Sequence, residues 1–127
     1  MHVRPPSAGA GPDGYVPDVG IRERLTRTAQ PFLEPGEVVQ QVFRAGKVSH
    51  PGGRRKSIVI VVGTPDSIVV LRTSPWSTRR ATGVRLRYPR STPVRMEAFG
   101  DMRIGDDFYQ VSGASARPQA RELVTTD

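Results

Sequence analysis

Residues 57–72 read SIVIVVGTPDSIVVLR. Each half is a short, continuous apolar run dominated by valine and isoleucine. It is too short for a core helix and lacks a 3.6-residue period, which points to a strand covered on both faces. Between the halves, Thr64-Pro65-Asp66-Ser67 is turn chemistry with proline at the second position, where its fixed φ is already suitable. The segment is therefore predicted as a central antiparallel hairpin, 57–62 paired with 67–72.

Working upstream, AGKVSHPGGRRK (45–56) is centred on Pro51-Gly52-Gly53 and ends in three cations, so it reads as a connecting loop or irregular hairpin tip. Before it, Pro35-Gly36 makes a turn and EVVQQVF starts a β-branched run, which predicts a first strand over 37–44. Earlier still, Asp18 is placed as an N-cap for a helix over 19–29. Ile21, Leu25 and either Thr28 or Ala29 share one face of it, Glu23 and Arg27 form an i,i+4 pair, and Pro31 ends it. Residues 1–17 hold four prolines and three glycines with few apolar side chains, the composition of a disordered tail.

Downstream, TSPWSTRRATG (73–83) is loop-like, and VRLRY alternates with period two. Val84, Leu86 and Tyr88 are expected on one face, with Arg85 and Arg87 on the other. VRMEAFG predicts a short strand, and MRIGDDFYQV a hairpin around Gly105, Asp106 and Asp107. A C-terminal helix is predicted over 116–125, with Ser115 as N-cap, Pro118 in its first turn, and Ala116, Ala120, Leu123 and Val124 forming its apolar face.

Charge along the chain is uneven. Residues 44–95 hold twelve basic side chains against the single acid Asp66, giving +11 within a chain whose net charge is +7. The middle is strongly basic and the ends are mildly acidic, a layout suited to anionic partners. There is no cysteine, which removes disulfides, thiolate metal sites and thiol nucleophiles together. Neither an apolar leader core near the start nor an apolar run of membrane-spanning length is visible. The expectation is a cytoplasmic, soluble protein, peripheral at the inner face of the membrane where its ligand is a lipid headgroup. Of the nineteen basic residues seventeen are arginine, a bias expected of a GC-rich genome as much as of function.

The fold class expected from this pattern is mainly β (α+β): six to seven strands in a bent antiparallel sheet or barrel, with a C-terminal helix and an extra N-terminal helix. The division is 1–17 tail, 18–31 helix and 32–127 domain. Specific residues extend the likeness. LEPGEVV (33–39), IVIVVGTPDSIVVL (58–71) and RYPRSTPVRMEAFGDMRIGDDFYQV (87–111) resemble the small actinobacterial pleckstrin-homology-like (PH-like) proteins of uncharacterised function. In those, Pro-Gly-Glu opens the first strand, a Thr-x-Asp turn joins two apolar strands, and Pro-Arg-x-Thr precedes a glycine-containing hairpin. The resemblance covers 32–124, and Pro65 departs from it by standing where the pattern runs straight to the acid.

The resemblance implies a binding or scaffold module. Eukaryotic relatives bind phosphoinositide headgroups, peptides or proteins, and the lipid-binding ones carry a lysine, a spacer and then Arg/Lys-x-Arg between the first two strands. Here Lys47 and then Arg54-Arg55-Lys56 fall in that loop, with Lys56 where arginine is usual. Glycines beside these cations let a backbone approach a phosphate or carboxylate, while a solvated loop tip explains them equally well. Arg79, Arg80, Arg85, Arg87, Arg90 and Arg95 form a second basic set, read either as a face for an acidic partner or as the solvated side of a strand. Trp76, beside Arg79 and Arg80, is either a partner anchor or a plug over the barrel end. Tyr88, Phe99, Phe108 and Tyr109 are expected to pack within the barrel.

Catalytic chemistry finds little support. The two histidines are His2 and His50, without metal-ligand spacing to other candidate ligands, and GGRRKS lacks both the spacing and the following helix of a phosphate loop. Asp106 and Asp107 read as turn formers rather than an acid and base pair. The expectation is a non-catalytic module with neither cofactor nor metal. Its anion-binding residues are Lys47, Arg54, Arg55, Lys56, Arg79, Arg80 and Arg87, with Trp76 as partner anchor. Its partner is an acidic protein or an anionic membrane surface; the alternative is sequence-nonspecific nucleic-acid binding, resting on charge alone.

Overall fold

The computed structural model describes residues 17–97 and 100–125; the tail expected over 1–17 lies almost wholly outside them. Helix α1 (Pro17–Ala29) runs into a short 3-10 turn (Gln30–Phe32). Seven strands follow: β1 (Gln41–Val48), β2 (Ser57–Gly63), β3 (Ser67–Thr73), β4 (Ala81–Pro89), β5 (Val94–Met96), β6 (Asp101–Ile104) and β7 (Asp107–Gln110). Helix α2 (Ala116–Leu123) closes the order. All strand pairs are antiparallel, in the order β4-β3-β2-β1-β7-β6-β5.

That order forces the sheet to roll. Six spacings of about 4.8 Å put the edges of a flat seven-stranded sheet about 29 Å apart. Yet β4 at one edge and β5 at the other are joined by residues 90–93, a link that reaches at most about 18 Å. The edges therefore approach without pairing, and the sheet remains open along the β4–β5 seam. Across this gap the Tyr88 hydroxyl on β4 donates to Asp107 Oδ2 on β7 at 2.6 Å and lies 2.8 Å from the Tyr109 hydroxyl.

The rolled sheet has two cores. The concave face gathers Phe43, Val61, Ile68, Val70, Met102, Ile104 and Tyr109, covered by Ala116, Ala120 and Leu123 of α2. The convex face gathers Val42, Ile60, Val62, Val69 and Leu71 under Leu25 and Ala29 of α1. Strands β2 and β3 lie beneath both layers, which is why their sequence is apolar without alternation. The central hairpin is thus as expected, one residue longer on each strand.

Several boundaries differ from the sequence reading. The first strand is Gln41–Val48 rather than 37–44, because Ala45 to Lys47 are held by β2 on one side and Gly46 to Val48 by β7 on the other. Residues 37–40 instead brace the Thr64 turn: Glu37 accepts the Glu34 backbone N–H at 2.7 Å and binds Arg87 and Thr64. α1 starts at Pro17, so Asp18 lies within it, and α2 ends at Leu123. Ser115 has helical dihedrals and no side-chain capping bond. After α2, Thr125 returns to the sheet, exchanging bonds with Val94 at 2.9 and 3.0 Å.

The alternation expected in β4 is broken. Its register shifts twice against β3, leaving Thr82 and Arg85 without a cross-strand partner. Val84 therefore pairs with Leu71 of the convex core, while Leu86 pairs with Val70 of the concave core. The two lie on opposite faces, each 37% exposed, rather than together in one core. Bulges of this kind twist an edge strand and spoil it as a template for further pairing.

Candidate functional site

The β2–β3 hairpin brings two cationic loops to one end of the sheet. Residues 49–56 feed into the start of β2 and 74–80 leave the end of β3, and there Thr73 Oγ1 donates to the Ile58 carbonyl at 2.8 Å. Arg54, Arg55, Lys56, Arg79 and Arg80 all emerge on this rim exposed. None has a carboxylate within ion-pair distance among the described residues.

The first loop is shaped rather than loose. Gly52, at φ 75°, donates its N–H to Asp101 Oδ2 at 2.7 Å, and that aspartate is buried. The positive φ favours glycine, and the bond ties the loop to β6. His50 accepts the Gly53 N–H through its carbonyl, and its exposed ring meets the Pro51 carbonyl at 3.1 Å. No carboxylate accepts a hydrogen bond from that ring among the described residues. Arg55 lays its aliphatic stem over Gly46 and enters a cleft of about 400 Å³, walled by Ile21, Leu25, Phe43 and Ile58.

The second loop is closed by bonds from Ser74 N to Arg80 O at 2.9 Å and from Arg80 N to Ser77 O at 3.2 Å. Ser74 Oγ accepts the Trp76 N–H at 3.1 Å, which fixes the apex. There Trp76 is 93% exposed, so it projects from the rim and does not plug the barrel. The loop also rests on α1, where Thr28 Oγ1 accepts the Ala81 N–H at 3.0 Å.

Two residues expected at the site lie elsewhere. Arg87 forms a 2.8 Å ion pair with Glu37 near the opposite end of the hairpin. Burial raises the Glu37 carboxyl, but hydrogen bonds from Glu34, Arg87 and Thr64, with the Arg87 charge, hold it below the ordinary carboxylate value. Lys47 turns inward, 3.7 Å from Asp107 and over the Tyr109 ring at 5.6 Å. It joins the Tyr88–Asp107–Tyr109 cluster instead of the loop cations. Burial first, then hydrogen bonding to Asp107, pushes the Tyr88 hydroxyl far above its ordinary value; Tyr109 is raised chiefly by burial. Of the remaining aromatics, Phe108 is half-buried beneath Arg103, and Phe99 lies outside the described residues.

The sequence reading missed Arg44. It projects from β1 on the convex side, opposite Ile60, and donates through Nη1 to Thr78 Oγ1 at 2.7 Å. With Pro75, Trp76, Ser77, Thr78 and Arg79 it lines a second cleft of about 390 Å³. An arginine alternating with buried residues within a strand was the available signal. Comparison of the chain with protein-family models, curated proteins and solved structures finds no match. The geometry therefore carries the functional argument. What it brings together is five exposed cations without an ion-pair partner among the described residues, a projecting indole, and a half-buried arginine between two clefts.

Proposed function

We propose that this chain is a non-catalytic, PH-like binding module that docks its loop rim on an anionic membrane surface. The observation that carries the reading is Trp76, 93% exposed at the tip of a hydrogen-bonded loop and flanked by cations with no ion-pair partner among the described residues. An indole has an apolar body and one N–H donor, which suits the boundary between water and lipid. Cations beside it contribute about 1 kcal/mol each near an anionic leaflet. Arg54, Arg55, Lys56, Arg79 and Arg80 together could hold such a contact, and salt would screen it. The PH-like reading is supported by the strand order, the open seam and the helix over the concave core.

The test is co-sedimentation of the full chain with phosphatidylcholine vesicles with and without phosphatidylserine, at low and near-physiological salt. Retention on the anionic vesicles alone, weakened by salt and lost in an Arg54→Ala/Arg55→Ala/Lys56→Ala variant, is expected. Absence of retention at both salts overturns the membrane reading. An acidic protein would then be the rim's partner, unless any DNA duplex binds with a linear loss of log affinity against log salt.

A further inference from the structure

We infer that Arg44 and Arg79, with the hydroxyls of Ser77 and Thr78, form a discrete site for a phosphomonoester on the convex side of the sheet, separate from the first cationic loop. Arg44 is half-buried, and of its five N–H donors only one bond to a protein acceptor, Thr78 Oγ1 at 2.7 Å, is formed among the described residues. No carboxylate lies within ion-pair distance of Arg44 or Arg79 among those residues. A partly desolvated guanidinium beside a second cation is unfavourable until an anion joins them. The Arg44 guanidinium records this situation: burial first, and the Arg79 charge second, lower it from its ordinary value.

The donor set selects the anion. Thr78 accepts from Arg44 and still has its own proton to give, and Ser77 lines the same cleft. Two guanidinium forks and two hydroxyls offer more donors and charge than one carboxylate can accept. A phosphomonoester brings three terminal oxygens and a charge of about −1.5 to −2. The cleft, about 390 Å³ and lined by Trp76, leaves room for the rest of the ester toward the rim. A lipid headgroup and a soluble phosphate ester share this chemistry. The choice of a lipid source rests on the membrane reading above; binding of the phosphate group itself does not.

The test uses the full chain and its single tryptophan, Trp76. Inorganic phosphate is titrated against chloride at matched ionic strength, followed by Trp76 emission and independently by broadening of the phosphate phosphorus NMR line. Saturable binding is expected, weakened about tenfold or more in Arg44→Gln and in Arg79→Gln, since each removes a charge-assisted contact. Arg79 is exposed, so its variant leaves the fold intact if Arg44→Gln does not. A response equalled by chloride, or unchanged in Arg79→Gln, overturns the site. Preferential retention on phosphatidic acid over phosphatidylserine vesicles of equal surface charge, lost in Arg79→Gln, assigns the lipid source. Saturable phosphate binding without that preference assigns a soluble ester. Should phosphatidylserine retention fail while phosphate saturates, the membrane reading falls and the site stands; the opposite pattern removes the site and leaves the membrane reading.

Discussion

Replacing Tyr88 by phenylalanine removes one oxygen from the clasp that joins β4 to β7 across the open seam. The Tyr88 hydroxyl has a single proton, given to Asp107 Oδ2 at 2.6 Å, so the Tyr109 hydroxyl at 2.8 Å must donate to Tyr88. In Tyr88→Phe the aspartate loses a charge-assisted bond, about 1.5 to 3 kcal/mol. Tyr109, fully buried, loses its acceptor, for about 1 to 3 kcal/mol more. Easier desolvation of phenylalanine offsets part of the sum. The expected loss is about 3 kcal/mol, read as a fall in melting temperature of about 10 to 20 °C for a domain of this size. The decisive comparison is the double variant Tyr88→Phe/Tyr109→Phe, in which no buried proton is stranded. Urea denaturation followed by circular dichroism should find it at least about 1 kcal/mol more stable than additivity of the single variants predicts. A loss below about 0.5 kcal/mol in Tyr88→Phe, or strict additivity in the double variant, refutes the clasp.

The same hydroxyls set the alkaline limit. Both are raised above the ordinary value of 10.0, so their contribution is intact below that pH and is lost as the pH climbs toward the folded values; urea midpoints should fall more steeply above pH 10.0 in wild type than in Tyr88→Phe/Tyr109→Phe. On the acid side, Glu37 is held below its ordinary 4.5, so its pairing with Arg87 stabilises the fold above that pH and is lost as pH falls through the folded value. Glu37→Gln should therefore lower stability by about 1 kcal/mol at neutral pH, with the difference vanishing in acid, as measured by chemical denaturation across pH. Gly63→Ala should cost about 1 to 3 kcal/mol, because its Cβ would stand 2.7 Å from Leu123 Cδ2 and press on Gln41, wedging α2 off the sheet; an unchanged denaturation midpoint would contradict that packing.

The sequence by itself determined the elements whose signal is local. The 57–72 hairpin, the Gly105 turn and the apolar face of α2 rest on β-branching, turn chemistry and helical spacing, properties of a few consecutive residues. It also determined that the middle of the chain is basic, since charge is additive along a sequence. Tertiary structure decided which cations are free. Arg87 and Arg80 look alike in sequence, yet one is paired with Glu37, fifty residues away, and the other stands on the rim with no ion-pair partner among the described residues. Lys47 looked like the head of a cationic loop and is instead drawn inward to Asp107. The register shift against β3 at Arg85 moved Val84 and Leu86 to opposite faces, a consequence of pairing register that alternation alone does not encode. Arg44 gained its place beside Arg79 only because the 74–80 loop folds back over the convex face. Backbone preference acts over a few residues, whereas the meeting of side chains from β1, β4, β7 and the connecting loops depends on how the whole sheet rolls.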